Sequence, residues 1–391
     1  MKPSLTSLER TFLTHLYHYR CGTYSQLYRY LCQNHSVLHE TIGQLLQKGL
    51  IMKEEWEEET DEIYFLTVQG VNQLKPFLNL TPTEEGKRTH KTAAELRLHP
   101  KAYRHHLATL DFILEAKHYL DTRQCLYHIK LDKFGQAYTP VCPDAVIELG
   151  NMDILIEMDM GTERLARLKQ KMEYYARLNK RRLGEVNPRP ILVFFIFHRT
   201  PSMAQLKTLY QAIDATFLSA SSPFLDVVAG TQQELIQLLH EQVVDEAVGH
   251  QAPYRQAWKE AFEVSLQATP YQVSMINPLQ TKIHQTYDYI WTKPTETTFQ
   301  IHRLFIDLTV CRLSRLNAVM YLEQSLGEFH RQKRMSEAGV VYLIVEDQKL
   351  KTTQFILNVL GFQPSDHIQL ITTSDLHHRL NQIKTSSMSQ K

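Results

Sequence analysis

Pro143-Asp144-Ala145-Val146-Ile147-Glu148, followed by Ile154-Leu155-Ile156-Glu157-Met158-Asp159-Met160-Gly161-Thr162-Glu163, decides the reading of this chain. Both are apolar runs of strand length, and each carries carboxylates: Asp144 in the first, Glu157 and Asp159 in the second. Gly150-Asn151 between them is a tight-turn signal, so the two runs are expected to form a hairpin. Such a hairpin brings the three acids to one end of a sheet. Clustered carboxylate oxygens suit a hard divalent cation, Mg²⁺ or Mn²⁺, which keeps some of its waters. A cation held so would activate water and stabilise charge on a transferring phosphoryl group. Acids at strand ends are also ordinary solvated residues, and that plain reading stands beside the metal-binding one.

From Arg164 to Leu178 the apolar residues Leu165, Leu168, Met172, Tyr175 and Leu178 recur with helical period. Lys171 flanks this stripe, three residues from Leu168 and four from Tyr175. Arg177, Lys180, Arg181, Arg182 and Arg189 follow with few acids among them. Acids at a sheet end, a lysine on the adjoining helix and a basic rim together suggest a phosphodiester site. Glu163 also suits the positive N-terminus of that helix.

The order Pro-Asp, then Glu157-Met-Asp159-Met-Gly161-Thr162-Glu163, then Lys171 and Tyr174 on the next helix, resembles the plasmid replication-relaxation proteins. His106-Leu107-Ala108 upstream fits the same pattern, and the resemblance covers roughly residues 5 to 240. It implies an N-terminal winged helix joined to a PD-(D/E)XK nuclease-like domain with a mixed sheet. It also implies Asp144, Glu157 and Asp159 as metal ligands and, with Lys171, as the catalytic set. Asp159 stands where the wider superfamily has a lysine, so Lys171, or Lys169, would have to supply that charge from the helix.

Composition sets the outer bounds. A chain of 391 residues with 43% apolar and 22% charged residues is long enough for two or three ordinary globular domains. Its formal net charge is only +1, so any nucleic-acid surface must be local. The longest apolar runs, such as Ile191–Phe197, are far too short to span a bilayer. No signal peptide is expected, and no membrane partner. The five scattered cysteines lack paired zinc-ligand spacing and suit a reducing cytoplasm.

Residues 1–80 read as a separate winged helix-turn-helix. Helices are expected from Ser7, after Thr23 and after Ser36, the last ended by Gly49. Strands Leu50–Met52 and Ile63–Leu66 then flank an acidic turn, and Thr67 opens a closing helix. The third helix offers Asn34, His39, Gln44 and Lys48 to DNA bases or phosphates. Arg177, Lys180, Arg181 and Arg182 supply a second set of phosphate contacts. The acidic tip Glu54–Glu62 would repel phosphate, and winged helices also serve in protein interaction or dimerisation.

A linker is expected at 81–100, the nuclease-like domain at 101–245, a proline-bearing connection at 246–300 and a tail at 385–391. Residues 301–384 read as a degenerate second α/β copy. In that reading His302–Asp307 echoes the helical His106–Asp111. Val319–Glu323 with Leu326-Gly327-Glu328 echoes the acid-bearing strand, Val340–Val345 answers Ile191–Phe197, and Thr373–Leu380 answers Thr231–Leu239. The Pro-Asp hairpin is missing from this second copy, and Gln324 and Ser325 break its ligand set.

Two function classes follow. One is a metal-dependent DNA endonuclease or nickase acting in plasmid replication or mobilisation. The other is a non-cutting DNA-binding accessory or transcriptional regulator on a nuclease-derived scaffold. Tyr174 and Tyr175 make a tyrosine-nucleophile relaxase a third, weaker alternative. DNA is the expected partner, with a second copy of the chain or a replication or mobilisation protein beside it.

Overall fold

The computed structural model describes residues 5–55, 61–78, 91–131, 138–182, 184–185, 188–217, 225–248, 260–263, 272–275, 289–294, 299–309, 312–320 and 335–378. The chain divides into two compact units, Met1–Gln124 and Cys125–Lys391. Among the described residues no helix is long and apolar enough to cross a membrane.

The first unit runs α1 (Ser7–Tyr19), β1 (Cys21–Thr23), α2 (Tyr24–Tyr30), α3 (His35–Gln47), β2 (Ile51–Glu55), β3 (Glu62–Leu66), α4 (Val68–Leu74), α5 (Ala93–Leu96) and α6 (Tyr103–Thr122). Its antiparallel sheet has the order β1-β3-β2. Thr6 and Thr23 each form a reciprocal capping box with the residue three positions on, which satisfies the first free N–H groups of α1 and α2. The cap of α3 is Asn34, not Ser36. Its side chain accepts from the Val37 N–H at 3.2 Å, and Ser36 already lies inside the helix. Phe12, Leu13, Leu16, Leu27, Leu38, Ile42, Leu45 and Leu74 meet in one core, so the apolar stripes of the helices all face inward. The first boundary falls at 124 rather than near 100, because α6 is tied to this unit. Gln26 Nε2 donates to the Leu107 carbonyl and to Asp111, and Tyr103 and Leu107 pack on Cys21, Ile63 and Phe65.

The second unit contains two five-stranded sheets. The first is β4 (Tyr127–Lys130), β5 (Ala145–Leu149), β6 (Met152–Asp159), β7 (Ile191–Phe197) and β8 (Leu225–Thr231), hydrogen-bonded in that order. The pairs β4/β5 and β5/β6 are antiparallel, and β6/β7 and β7/β8 are parallel. Helices α7 (Leu165–Arg182), α8 (Met203–Phe217), α9 (Gln232–Leu238) and α10 (Val244–Ala247) accompany it. Gly150 turns the β5–β6 hairpin with φ +50°. A Cβ there would lie 2.3 Å from the Ala247 carbonyl oxygen, so glycine is required twice over.

The second sheet is β9 (Gln272–Met275), β10 (Tyr289–Pro294), β11 (Phe299–Asp307), β12 (Met335–Val345) and β13 (Ile368–Thr372), with α11 (Leu313–Met320) and α12 (Leu350–Val359). Its strands follow in the same order, antiparallel twice and then parallel twice. The helix faces of both sheets feed one core, which joins Leu155, Val193, Leu168 and Leu209 with Ile306, Leu343, Leu316 and Ile356.

Three expectations for this region are corrected. His302–Asp307 lies in strand β11, not in a helix. Leu304, Ile306 and Leu308 alternate into the core, and the matching spacing with His106–Asp111 hid that period of two. Val319 and Met320 close helix α11 instead of opening a strand. The hairpin is present, because β10 pairs antiparallel with β11. Glu323–Glu328, the centre of the acidic turn at 56–60, Pro253, Pro270, Pro278 and the tail lie outside the described residues.

Candidate functional site

The β5–β6 register aligns the acids. Ala145 lies opposite Ile156, and just before β5 the Asp144 N–H donates to the Ile156 carbonyl at 2.9 Å, one residue off that register. Glu157 and Leu155 share a face of β6 by the period of two, and Leu155 packs with α7, so Glu157 is turned to the helix. The charge of Asp144 is close enough to act on Glu157. Asp144 Oδ2 accepts the Met158 N–H at 2.8 Å, which anchors this carboxylate across the hairpin.

Lys171 and Tyr175 come from one face of α7, four residues apart, and both reach Glu157. Lys171 Nζ donates to Glu157 Oε2 at 2.9 Å and to Glu163 Oε1 at 2.9 Å. The Tyr175 hydroxyl donates to Glu157 Oε1 at 2.5 Å. Glu157 is 2% exposed. The Lys171 side chain retains 20% exposure, so the cluster reaches solvent on that side. Glu163 is mostly buried, and its Oε2 has no hydrogen-bond partner.

Burial pushes the Glu157 carboxyl up to about 7. The Lys171 charge opposes this, and the negative charge of Asp144 adds to it. Burial alone would lower the Lys171 ammonium, yet Glu157 and Glu163 outweigh it and hold its pKa above the ordinary lysine value. Lys171 is therefore a cation at any physiological pH. Burial and the charge of Glu157 likewise hold the Tyr175 phenol well above its usual range.

Asp159 belongs to the same strand but serves the turn. Its Oδ1 accepts the Gly161 N–H at 2.8 Å, and Gly161 takes φ +81° to allow it. Burial and the nearby Glu163 raise its carboxyl. Among the described residues no three of His, Cys, Asp and Glu come together as a group able to hold a metal ion. The donors that do converge are two, Asp144 and Glu157. That number fits a cation such as Mg²⁺, which commonly takes one or two protein carboxylates and completes its shell with water and phosphate. The mutual repulsion of the two acids and the raised Glu157 are what a cation would relieve.

The basic residues of α7 divide into two groups. Arg177, Lys180 and Arg181 are exposed. The Arg177 guanidinium lies 5.7 Å from the ring centre of Tyr174, whose hydroxyl accepts from Gln170 at 3.1 Å. Arg182 is turned inward, bonded to Asp153 at 3.2 Å and to Glu185 at 3.1 Å. With Arg189 at 2.8 Å from Asp153, it neutralises a carboxylate that is 1% exposed. Arg182 is thus committed to the core, where a lone buried carboxylate would be costly.

In the first unit, His39 lies on the exposed side of α3, and Gln44 donates to Glu40 at 3.0 Å. Asn34 is occupied as the helix cap, and Lys48 pairs with the buried Glu9. Acids at the base of the β2–β3 ribbon are paired as well: Glu62 with Lys53 and Tyr64, and Glu54 with Arg97 and Tyr103.

Sequence reasoning missed Tyr175 and Glu163 as members of the cluster. The signal was present in part: Lys171 and Tyr175 at i and i+4 must share a helix face.

Compared with known families, residues 13–187 match the model described as replication-relaxation. That span runs from within α1 to just beyond α7 and stops before β7. No curated protein and no solved structure matches the chain.

Proposed function

We propose that this chain, whose residues 13–187 belong to the replication-relaxation family, is a cytoplasmic DNA-binding protein of plasmid replication or mobilisation that hydrolyses a phosphodiester of its DNA. The observation that carries the reading is Glu157 bonded to Lys171 with the charge of Asp144 acting on it, beside the exposed Arg177, Lys180 and Arg181. The order α1-β1-α2-α3-β2-β3 in the first unit supports a winged helix-turn-helix reading, with α3 as the element that reads DNA. The mixed sheet that carries the acids supports a PD-(D/E)XK nuclease-like frame for the first part of the second unit.

In this reading Asp144 and Glu157 would hold Mg²⁺ or Mn²⁺, which supplies Lewis-acid polarisation of the phosphoryl oxygens and a more acidic water. Lys171 is no general base, because it keeps its proton. It offers a positive charge to the crowded phosphoryl oxygens. A water oxygen forms the new bond to phosphorus and one bridging P–O bond breaks. The proton of the water passes to solvent, and the released oxygen takes a proton from solvent and leaves as a hydroxyl. Tyr175 and Glu163 position Glu157 and Lys171. Arg177, Lys180 and Arg181 bind the phosphate backbone, a salt-sensitive interaction.

One observation favours a second reading, a DNA-binding scaffold that does not cut. Glu157 is 2% exposed, and both its oxygens already accept hydrogen bonds. The two readings separate on supercoiled plasmid with Mg²⁺ or Mn²⁺. Cleavage by the wild type that is lost in Asp144→Asn, with DNA retention unchanged in a gel-shift assay, supports the hydrolytic reading. Retention without cleavage, with either ion and on single-stranded as well as duplex DNA, leaves the scaffold reading.

A further inference from the structure

The two sheets of the second unit can be superposed residue by residue from their registers. Thr231 ends β8 beside Phe197, and Thr372 ends β13 beside Val345, each followed directly by a helix. Phe197 and Val345 therefore correspond. Across the next pair, Asp159 lies beside Phe197. Asp307 lies beside Ile344, so its successor Leu308 takes the place beside Val345. By strand register Leu308 thus stands where Asp159 stands, and Ile306 where Glu157 stands, while the turn made by Asp159 on the Gly161 N–H recurs one residue earlier, at Asp307 on the Thr309 N–H. The backbone agrees with this phase. The Leu308 N–H donates to the Ile344 carbonyl and His198 donates to the Asp159 carbonyl, so in each lobe these alternate residues bond to the parallel neighbour.

The helix that follows confirms the match in sequence. Arg164-Leu165-x-Arg167-Leu168-x-x-Lys171-Met172 recurs as Arg312-Leu313-x-Arg315-Leu316-x-x-Val319-Met320. The loop before it is one residue shorter in the second lobe, which accounts for the change of phase between strand and helix. Lys171 corresponds to Val319. Asp288 precedes β10 as Asp144 precedes β5, so the first acid persists in the sequence.

At the positions of Glu157, Asp159 and Lys171 the second lobe therefore carries Ile306, Leu308 and Val319. All three are 0% exposed and lie in the shared core. Hydrocarbon fills the place of the ionic cluster. Among the described residues, none of these three positions carries a carboxylate or a cation; the buried Arg315 lies one turn before Val319 on α11. Of the two lobes, only the first carries an acid–cation cluster at these positions among the described residues.

We infer that the second lobe is a duplicate of the first whose site has been filled in by packing, so that each chain cuts one strand and leaves a nick. The inference rests on the hydrolytic reading above. Each binding event forms one P–O bond from one water and breaks one bridging P–O bond. The opposite strand stays intact.

The test uses the full chain in excess over supercoiled plasmid with Mg²⁺ or Mn²⁺, and Mn²⁺ alone in a parallel binding titration followed by electron paramagnetic resonance. Open circles are expected to accumulate while linear plasmid stays at least tenfold below them. Glu157→Gln should remove all nicking while still unfolding in one cooperative transition. One Mn²⁺ should bind per chain and be lost in that variant. Linear product formed as fast as open circles, nicking that survives in Glu157→Gln, or two Mn²⁺ per chain would overturn the inference alone. No cleavage under any of these conditions would overturn the hydrolytic reading and this inference together.

Discussion

The two lobes of the second unit solve the same packing problem with opposite chemistry. Both place a helix over the parallel edge of a β-hairpin, and both bury the strand residues beneath it. In the first lobe those residues are Glu157, answered by Lys171 and Tyr175 from α7, and Asp159, which accepts the Gly161 N–H. In the second they are Ile306 and Leu308, answered by Val319 from α11. Under the duplication inferred above, the hydrocarbon version means that the fold does not need the charges. Removing ions from water costs several kcal/mol each, and their mutual attraction returns that only with good geometry. A buried ionic cluster kept where an apolar one would serve is therefore better explained by chemistry than by stability.

The largest effect should come from exchanging the solutions in the wrong direction. Ile306→Glu puts a carboxylate among Leu304, Leu308 and Val319, where Val319 stands in place of the cation of Lys171. It should lower stability by about 4–5 kcal/mol, the cost of an unpaired buried charge or of the proton that neutralises it. Chemical denaturation measures this. A loss below about 1 kcal/mol would mean that the second lobe can still accommodate an ion, and the contrast between the lobes would fall.

Breaking the ionic solution from one side comes next. Lys171→Met leaves Glu157 and Glu163 without their shared cation and should cost about 2–3 kcal/mol. This is less than a fully buried pair, because Lys171 keeps some exposure and Glu157 can take up a proton. The matched change in the second lobe, Val319→Met, only alters volume and should cost about 1 kcal/mol. Equal losses in the two variants would erase the distinction.

The same asymmetry predicts a pH dependence that belongs to the first lobe alone. Glu157 has a folded pKa near 7 against an ordinary 4.5, so between those values the folded chain holds a proton that the unfolded chain has released. Stability contributed by this group should be complete below pH 4.5 and fall as pH rises towards 7 in metal-free buffer. Glu157→Gln should flatten that slope, whereas Ile306→Val should leave it unchanged. A slope that persists in Glu157→Gln would place the titrating group elsewhere.

How much of this was legible in the sequence follows from the same contrast. The hairpin, the three N-terminal helices and the helix carrying Lys171 were readable because period, turn glycine and caps agree locally. Tyr175 was read as core, and it is buried. That its hydroxyl also serves Glu157 depends on a strand–helix contact that periodicity does not specify. Lys48 and Arg182 read as phosphate contacts, yet each has a buried acid as its partner, Glu9 and Asp153 respectively. Those acids lie far away in sequence, so charge counting along the chain cannot see them. In the second lobe the eye followed polar landmarks, His302 and Asp307 against His106 and Asp111. The repeat we infer is carried by Arg312-Leu313-x-Arg315-Leu316 and by apolar alternation. Where a site has been replaced by packing, its acids no longer mark the strand.

The smallest expected effect is the most informative. Glu157→Ile, Lys171→Val and Tyr175→Phe together would give the first lobe the solution of the second. The triple change removes the buried carboxylate, its cation and the hydroxyl that donates to it, so no member of the cluster is left unpaired in the interior. Glu163 keeps some exposure and can turn to water. Replacing a complete buried ion cluster by apolar residues of similar volume is often neutral or slightly stabilising. The triple variant should therefore unfold within about 1 kcal/mol of the wild type, far from the losses expected for Lys171→Met alone. Its DNA retention should be unchanged, because Arg177, Lys180 and Arg181 are untouched, and its plasmid cleavage should be absent. Double-mutant cycles among the three positions would then show strong coupling, as expected of groups that are stable only together. If the triple variant were as unstable as the single one, the cluster would be holding the lobe together, and the argument that its charges are kept for chemistry would fail.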